Sequence, residues 1–107
     1  MPQYVLRLIH ASDQCPTSNS KIRERVQQGS PEMPKLAQKL GVKFTAGPYV
    51  LGAEHETIAV MEAESVEVIE DFLMQSGLIQ WNIVKVSPAK LLQDALQDLN
   101  DCPPAIY

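Results

Sequence analysis

The sequence predicts an α+β fold: a ferredoxin-like β-α-β-β-α-β plait with an extra C-terminal helix. Three observations carry this. Four short runs rich in β-branched and aromatic residues, 4–9, 42–51, 57–61 and 81–86, read as strands. Segments with apolar residues at helical spacing, bounded by cap and stop residues, separate the first strand from the second and the third from the fourth. Only a short turn, beginning Gly52-Ala53-Glu54, joins the second strand to the third. This order is that of the split βαβ motif.

Residues 4–9 are apolar except for Arg7, as expected of a central strand buried on both faces. Alternation places Val5, Arg7 and Ile9 on one face and Tyr4, Leu6 and Leu8 on the other. The loop ASDQCPTSN is rich in turn formers. Residues 20–28 follow as a helix, with Asn19 or Ser18 as cap and Gly29 as stop. Ser30-Pro31-Glu32 reads as a second helix start, Leu36, Ala37 and Leu40 as its apolar stripe, and Gly41 as its end. Pro48 makes 42–51 an edge strand. Ser65 caps a helix whose stripe is Val66, Ile69, Phe72 and Leu73 and whose stop is Gly77. Ser87-Pro88 reads as one more helix start, with Leu91, Leu92, Ala95, Leu96 and Leu99 on its apolar face.

The chain has 107 residues, which suits one domain over 1–100 and an extended tail over 101–107, where Pro103 and Pro104 bar a helix. A formal net charge of −4 argues against a nucleic-acid partner bound by bulk electrostatics. No apolar run approaches the ~20 residues that span a bilayer, so no membrane partner is expected. The opening MPQYVLRLIH has neither a basic n-region nor a small-residue cleavage site. With two cysteines, Cys15 and Cys102, this points to reduced thiols and a cytoplasmic location.

Right-handed crossovers put the first and third strands side by side at the sheet centre, and both helices on one face. The other face is expected to carry Val5, Ile9, Ala59, Met61, Trp81 and Ile83. An open apolar face on so short a chain predicts a partner, most simply a second copy. The hydrophobic end Ala105-Ile106-Tyr107 suits exchange of the tail between subunits.

The stretch 39–92 resembles the stand-alone dimeric α/β-barrel proteins of the GYD type and is similar, more distantly, to the effector-binding domains of the Lrp/AsnC regulators. The matching residues are KLAQKLGVKF, the hairpin GPYVLGAEHETIAVMEA, and ES followed by DFLMQSG. Where GYD-type sequences have a Gly-Glu-Tyr-Asp-like tetrad, this hairpin reads Gly52-Ala53-Glu54-His55-Glu56, so the tyrosine-aspartate pair has become His55-Glu56. The resemblance implies a homodimeric α/β barrel, in a superfamily that includes monooxygenases, isomerases, haem enzymes and non-catalytic effector domains.

Several residues are candidates for chemistry. Arg7, a charge in an apolar strand, can point into a dimer cavity and fix a carboxylate or phosphate, or pair with a partner-chain carboxylate. Tyr49 and Trp81 can stack a flat ligand or simply pack. His10 and Cys15, in H-x4-C spacing, suit zinc or copper, or a nucleophile-base pair, with Glu62 expected as a further ligand. That expectation takes the first and third strands to be parallel, which also sets His55 and His10 at opposite ends. The competing reading is a capping histidine and a small buried thiol. His55, between Glu54 and Glu56, suits a general acid or base, or is a solvated turn. The expected function is binding of a small ligand or a metal ion by a homodimer, as a sensor or accessory protein. A small cofactor-free or metal-assisted enzyme, monooxygenase- or isomerase-like, with His10 or His55 as acid/base, and a structural assembly module are the alternatives.

Overall fold

Residues 1–103 are described by the structure, a computed structural model. Its strands are β1 (Gln3–Ile9), β2 (Lys43–Leu51), β3 (Glu56–Glu62) and β4 (Ile83–Ala89), and its α-helices are α1 (Ser20–Gly29), α2 (Met33–Leu40), α3 (Val66–Gln75) and α4 (Leu92–Asp98). The fold is α+β. Its four-stranded sheet has the order β2-β3-β1-β4 and is antiparallel throughout, compatible with a ferredoxin-like plait.

The direction of β3 corrects one expectation. A helical crossover returns β2 parallel to β1, and the hairpin then reverses the chain, so β3 must run against β1. Ile9 therefore faces Glu56, and Gln3 faces Glu62. His10 and His55 sit at the same end of the sheet, and Glu62 sits at the other.

The helix-covered face carries the core: Leu6, Leu8, Ala59 and Met61 from the sheet, packed on Ala37, Ile69, Phe72 and Leu73. Phe44 stands edge-on to Phe72 with ring centroids 5.8 Å apart. Ala59 and Met61 were expected on the open face; they are 2% exposed and belong to the core. Antiparallel pairing places Ile58 and Val60 on the open side instead, beside Arg7 and Val5.

Asn19 caps α1, its Oδ1 accepting from the backbone N–H groups of Lys21 and Ile22 at 3.1 and 3.0 Å. Gly29 does not stop α1. It stays right-handed, and Ser30–Glu32 continues as a helical turn into α2, with the Ser30 N–H bonded to Val26 O. Ser30 is therefore no N-cap. Gly41, at φ 80°, does end α2. Ser65 precedes α3 without a side-chain capping bond. Ser87 and Pro88 belong to β4, an edge strand in which a missing N–H can face solvent. Consequently α4 starts only at Leu92, and none of its residues is buried. A helical turn over Leu99–Asp101 follows; of the expected tail, residues 104–107 lie outside the described residues.

Gly47 has φ +78°, and a Cβ there would lie 2.8 Å from Ile58 O and 2.9 Å from Tyr49 N. Gly47→Ala combines left-handed strain with a clash against backbone, so a loss of about 2 kcal/mol or more is expected in a urea titration.

Candidate metal centre

Three side chains from three chain segments meet at one end of the sheet. His10 directly follows β1, and its backbone N–H donates to His55 O at 3.0 Å. His55 follows the helical turn Gly52–Glu54 and enters β3 in the left-handed conformation, φ 52° and ψ 46°. Glycine or asparagine normally fills such a position. Histidine is among the non-glycine residues that tolerate it, and here the conformation brings the ring to His10 and Cys15.

Cys15 follows the helical turn Ser12–Gln14. Its loop is pinned to α1. Asn19 Nδ2 donates to Asp13 O at 3.0 Å, Arg23 Nε to Pro16 O at 2.7 Å, and Arg23 Nη2 to Thr17 O at 2.7 Å. The turn-rich loop thus holds its thiol in place, buried at 6% exposure.

The ligand atoms of His10, Cys15 and His55 all lie within 4.8 Å of one another. The two imidazole centroids are 5.5 Å apart, and the Trp81 ring flanks His10 at 5.2 Å. Asn82 Nδ2 donates to Leu78 O at 3.0 Å, which leaves its Oδ1 to accept from His10 Nδ1 at 3.3 Å. The proton therefore belongs on Nδ1 and a lone pair on His10 Nε2. An outer hydrogen bond of this kind fixes the tautomer in metal-ligating histidines. His10 Nε2 and His55 Nδ1 are buried without a hydrogen-bond partner in the structure. A buried polar atom left unpaired costs about 1–3 kcal/mol.

The thiol is prepared in the same direction. The Thr17 hydroxyl, 3.0 Å from Cys15 Sγ, is the main group that pulls the thiol down to about 6, helped by the Thr17 backbone against the opposing effect of burial. The lowered value favours the thiolate, the form that binds metal, near neutral pH.

These three residues fit a borderline-soft ion. Tetrahedral zinc, with Zn–N about 2.0–2.1 Å and Zn–S about 2.3 Å, spaces its ligand atoms roughly 3.3–3.6 Å apart. The present trio, within 4.8 Å, has to draw in by up to about 1.5 Å to reach that spacing. The three also line a cavity of about 380 Å³ between sheet and helices, walled mainly by apolar side chains.

The other candidates lie elsewhere. Glu62, expected to join His10, stands at the far end of β3, where its carboxylate accepts from Gln3 Nε2 at 3.4 Å. Six strand steps separate it from Glu56, roughly 20 Å. Trp81 was expected on the open face and instead lines the cavity beside His10. Tyr49, at 62% exposed, stands on the open face. Arg7 is on that face too, its Nε bonded at 2.5 Å to the buried carboxylate of Glu56 in the same chain, which holds Glu56 below the usual carboxylate range. Thr17 and Asn82 went unrecognised in the sequence. Thr17, two residues after Cys15, had a local signal in its hydroxyl; Asn82 had none, because its role depends on long-range packing. Compared with known proteins, the chain matches no family model and no curated sequence.

Proposed function

We propose that this chain binds a zinc-class divalent ion through His10 Nε2, Cys15 Sγ and His55 Nδ1, as a cytoplasmic ligand-binding homodimer of the dimeric α/β-barrel kind. The observation that carries the metal reading is the convergence of two unpartnered buried ring nitrogens on an activated thiol. Three protein ligands leave a fourth position free, the pattern of zinc sites that act on a ligand rather than only stabilise a fold. The dimer is supported by the open sheet face, where Tyr49 and Ile83 are 62% and 68% exposed. Among the described residues no helix is long and apolar enough to cross a membrane.

Metal analysis of protein equilibrated with zinc tests this. Wild type should retain one equivalent, and His10→Ala and Cys15→Ala should each weaken retention a hundredfold or more. Glu62→Gln, far from the trio, should leave it unchanged. Equal retention in wild type, His10→Ala and Cys15→Ala would overturn the assignment.

A second reading is a cofactor-free enzyme, with Cys15 as nucleophile and His10 or His55 as base. The lowered thiol favours it. It requires catalytic turnover that survives complete chelation of metal, whereas the metal reading requires loss of ligand binding.

A further inference from the structure

Resting on the metal assignment, the cavity specifies what occupies the fourth position. From the cavity chemistry we infer that the site takes a small monoanionic amphiphile: one anionic oxygen or sulfur donor on the metal, and an apolar body in the cavity between sheet and helices.

The charge of the donor follows from the ligand set. Two neutral imidazoles and one thiolate leave a divalent ion with one uncompensated positive charge. Buried charge is costly unless paired. Among the described residues no lysine or arginine lines the cavity, and the one carboxylate there, Glu56, is bonded to Arg7. A monoanionic ligand can supply the missing negative charge, in place of the hydroxide that a metal-bound water would otherwise become. A dianion would overshoot neutrality, and a neutral or cationic head would leave the charge in place.

The body follows from the walls. Leu8, Phe44, Met61, Leu73, Leu78 and Trp81 line the space, and Leu8, Met61 and Leu73 are at most 5% exposed. Thr17, Ser30, Thr57 and Asn82 add a few polar groups, but most of the lining is apolar, which favours an apolar body. A dry apolar cavity of about 150 Å³ accepts benzene. At about 380 Å³ this one has room for a body of roughly twice that size.

Trp81 is the chain's single tryptophan and lines the cavity, so its fluorescence reports occupancy directly. Zinc-loaded protein would be titrated with acetate, butanoate, hexanoate and octanoate, and with hexan-1-ol. Each added methylene should tighten binding about three- to fourfold until the cavity is full. Hexanoate should bind at least tenfold more tightly than hexan-1-ol, and removal of zinc should erase that preference. Equal binding of hexanoate and hexan-1-ol, or no response to any of them, overturns the inference. Cobalt(II) substitution separates this failure from that of the metal assignment. Visible d–d bands that appear with metal alone but ignore hexanoate keep the metal site and reject the anionic ligand. Absence of both the bands and zinc retention rejects the metal site itself.

Discussion

Zinc at a thousandfold excess over its dissociation constant is expected to raise the unfolding temperature of this protein by roughly 15–20 °C. Binding to the folded state alone adds about 4 kcal/mol at that excess. A domain of about 100 residues gains roughly 4 °C or more per kcal/mol. The mechanism is specific to where the ligands lie. His10 ends the central strand β1, Cys15 sits in the loop leading to α1, and His55 closes the β2–β3 hairpin. One ion would tie these three segments together and give the unpartnered atoms His10 Nε2 and His55 Nδ1 an acceptor for their lone pairs. Differential scanning calorimetry with and without zinc reads the effect. In Cys15→Ala, with a site at least a hundredfold weaker, the rise should fall to about 6 °C or less; in Glu62→Gln it should be intact. A rise equal in wild type and Cys15→Ala would place the zinc elsewhere.

Replacing His55 with glycine should leave the metal-free protein more stable than replacing it with alanine, while either change abolishes the metal site. The left-handed backbone at φ 52° costs an L-residue roughly 1–2 kcal/mol and glycine almost nothing. The gain is reduced by the greater freedom of glycine in the unfolded chain, about 0.4–1 kcal/mol. His55→Ala keeps the strain and His55→Gly removes it. Neither carries the ring, so comparing the two isolates the backbone contribution. His55→Gly should exceed His55→Ala by about 1 kcal/mol in denaturant titrations without metal, and neither should retain zinc. Greater stability of the alanine variant would show that the hairpin does not hold a strained ligand.

Much of the fold was legible because periodicity and punctuation agree. The run 4–9, the stripe Ile69, Phe72 and Leu73, and the stops at Gly41 and Gly77 each carry a local signal that tertiary structure left in place. Helix boundaries at proline were less legible. Ser30-Pro31 continues a helical path begun before it, and Ser87-Pro88 lies in an edge strand, where a missing N–H costs no ladder bond. His10 and Cys15 were readable as a pair from their spacing. Their third member was obscured by strand direction: with β3 parallel to β1, His55 is remote and Glu62 near, and with β3 antiparallel the two exchange places. Trp81 was misplaced because it precedes β4, and strand alternation does not apply to it. The cavity has no sequence signal, since it depends on how far α1 and α3 stand from the sheet.

X-ray absorption at the zinc edge of the loaded protein tests the central claim most directly. The first shell should contain two nitrogens near 2.0 Å and one sulfur near 2.3 Å, with one further light atom, and outer-shell scattering from two imidazole rings. Cys15→Ser should remove the sulfur contribution and leave the imidazole pattern. A shell of oxygen and nitrogen alone in the wild type, or one with two or more sulfurs, would contradict a centre built from His10, Cys15 and His55.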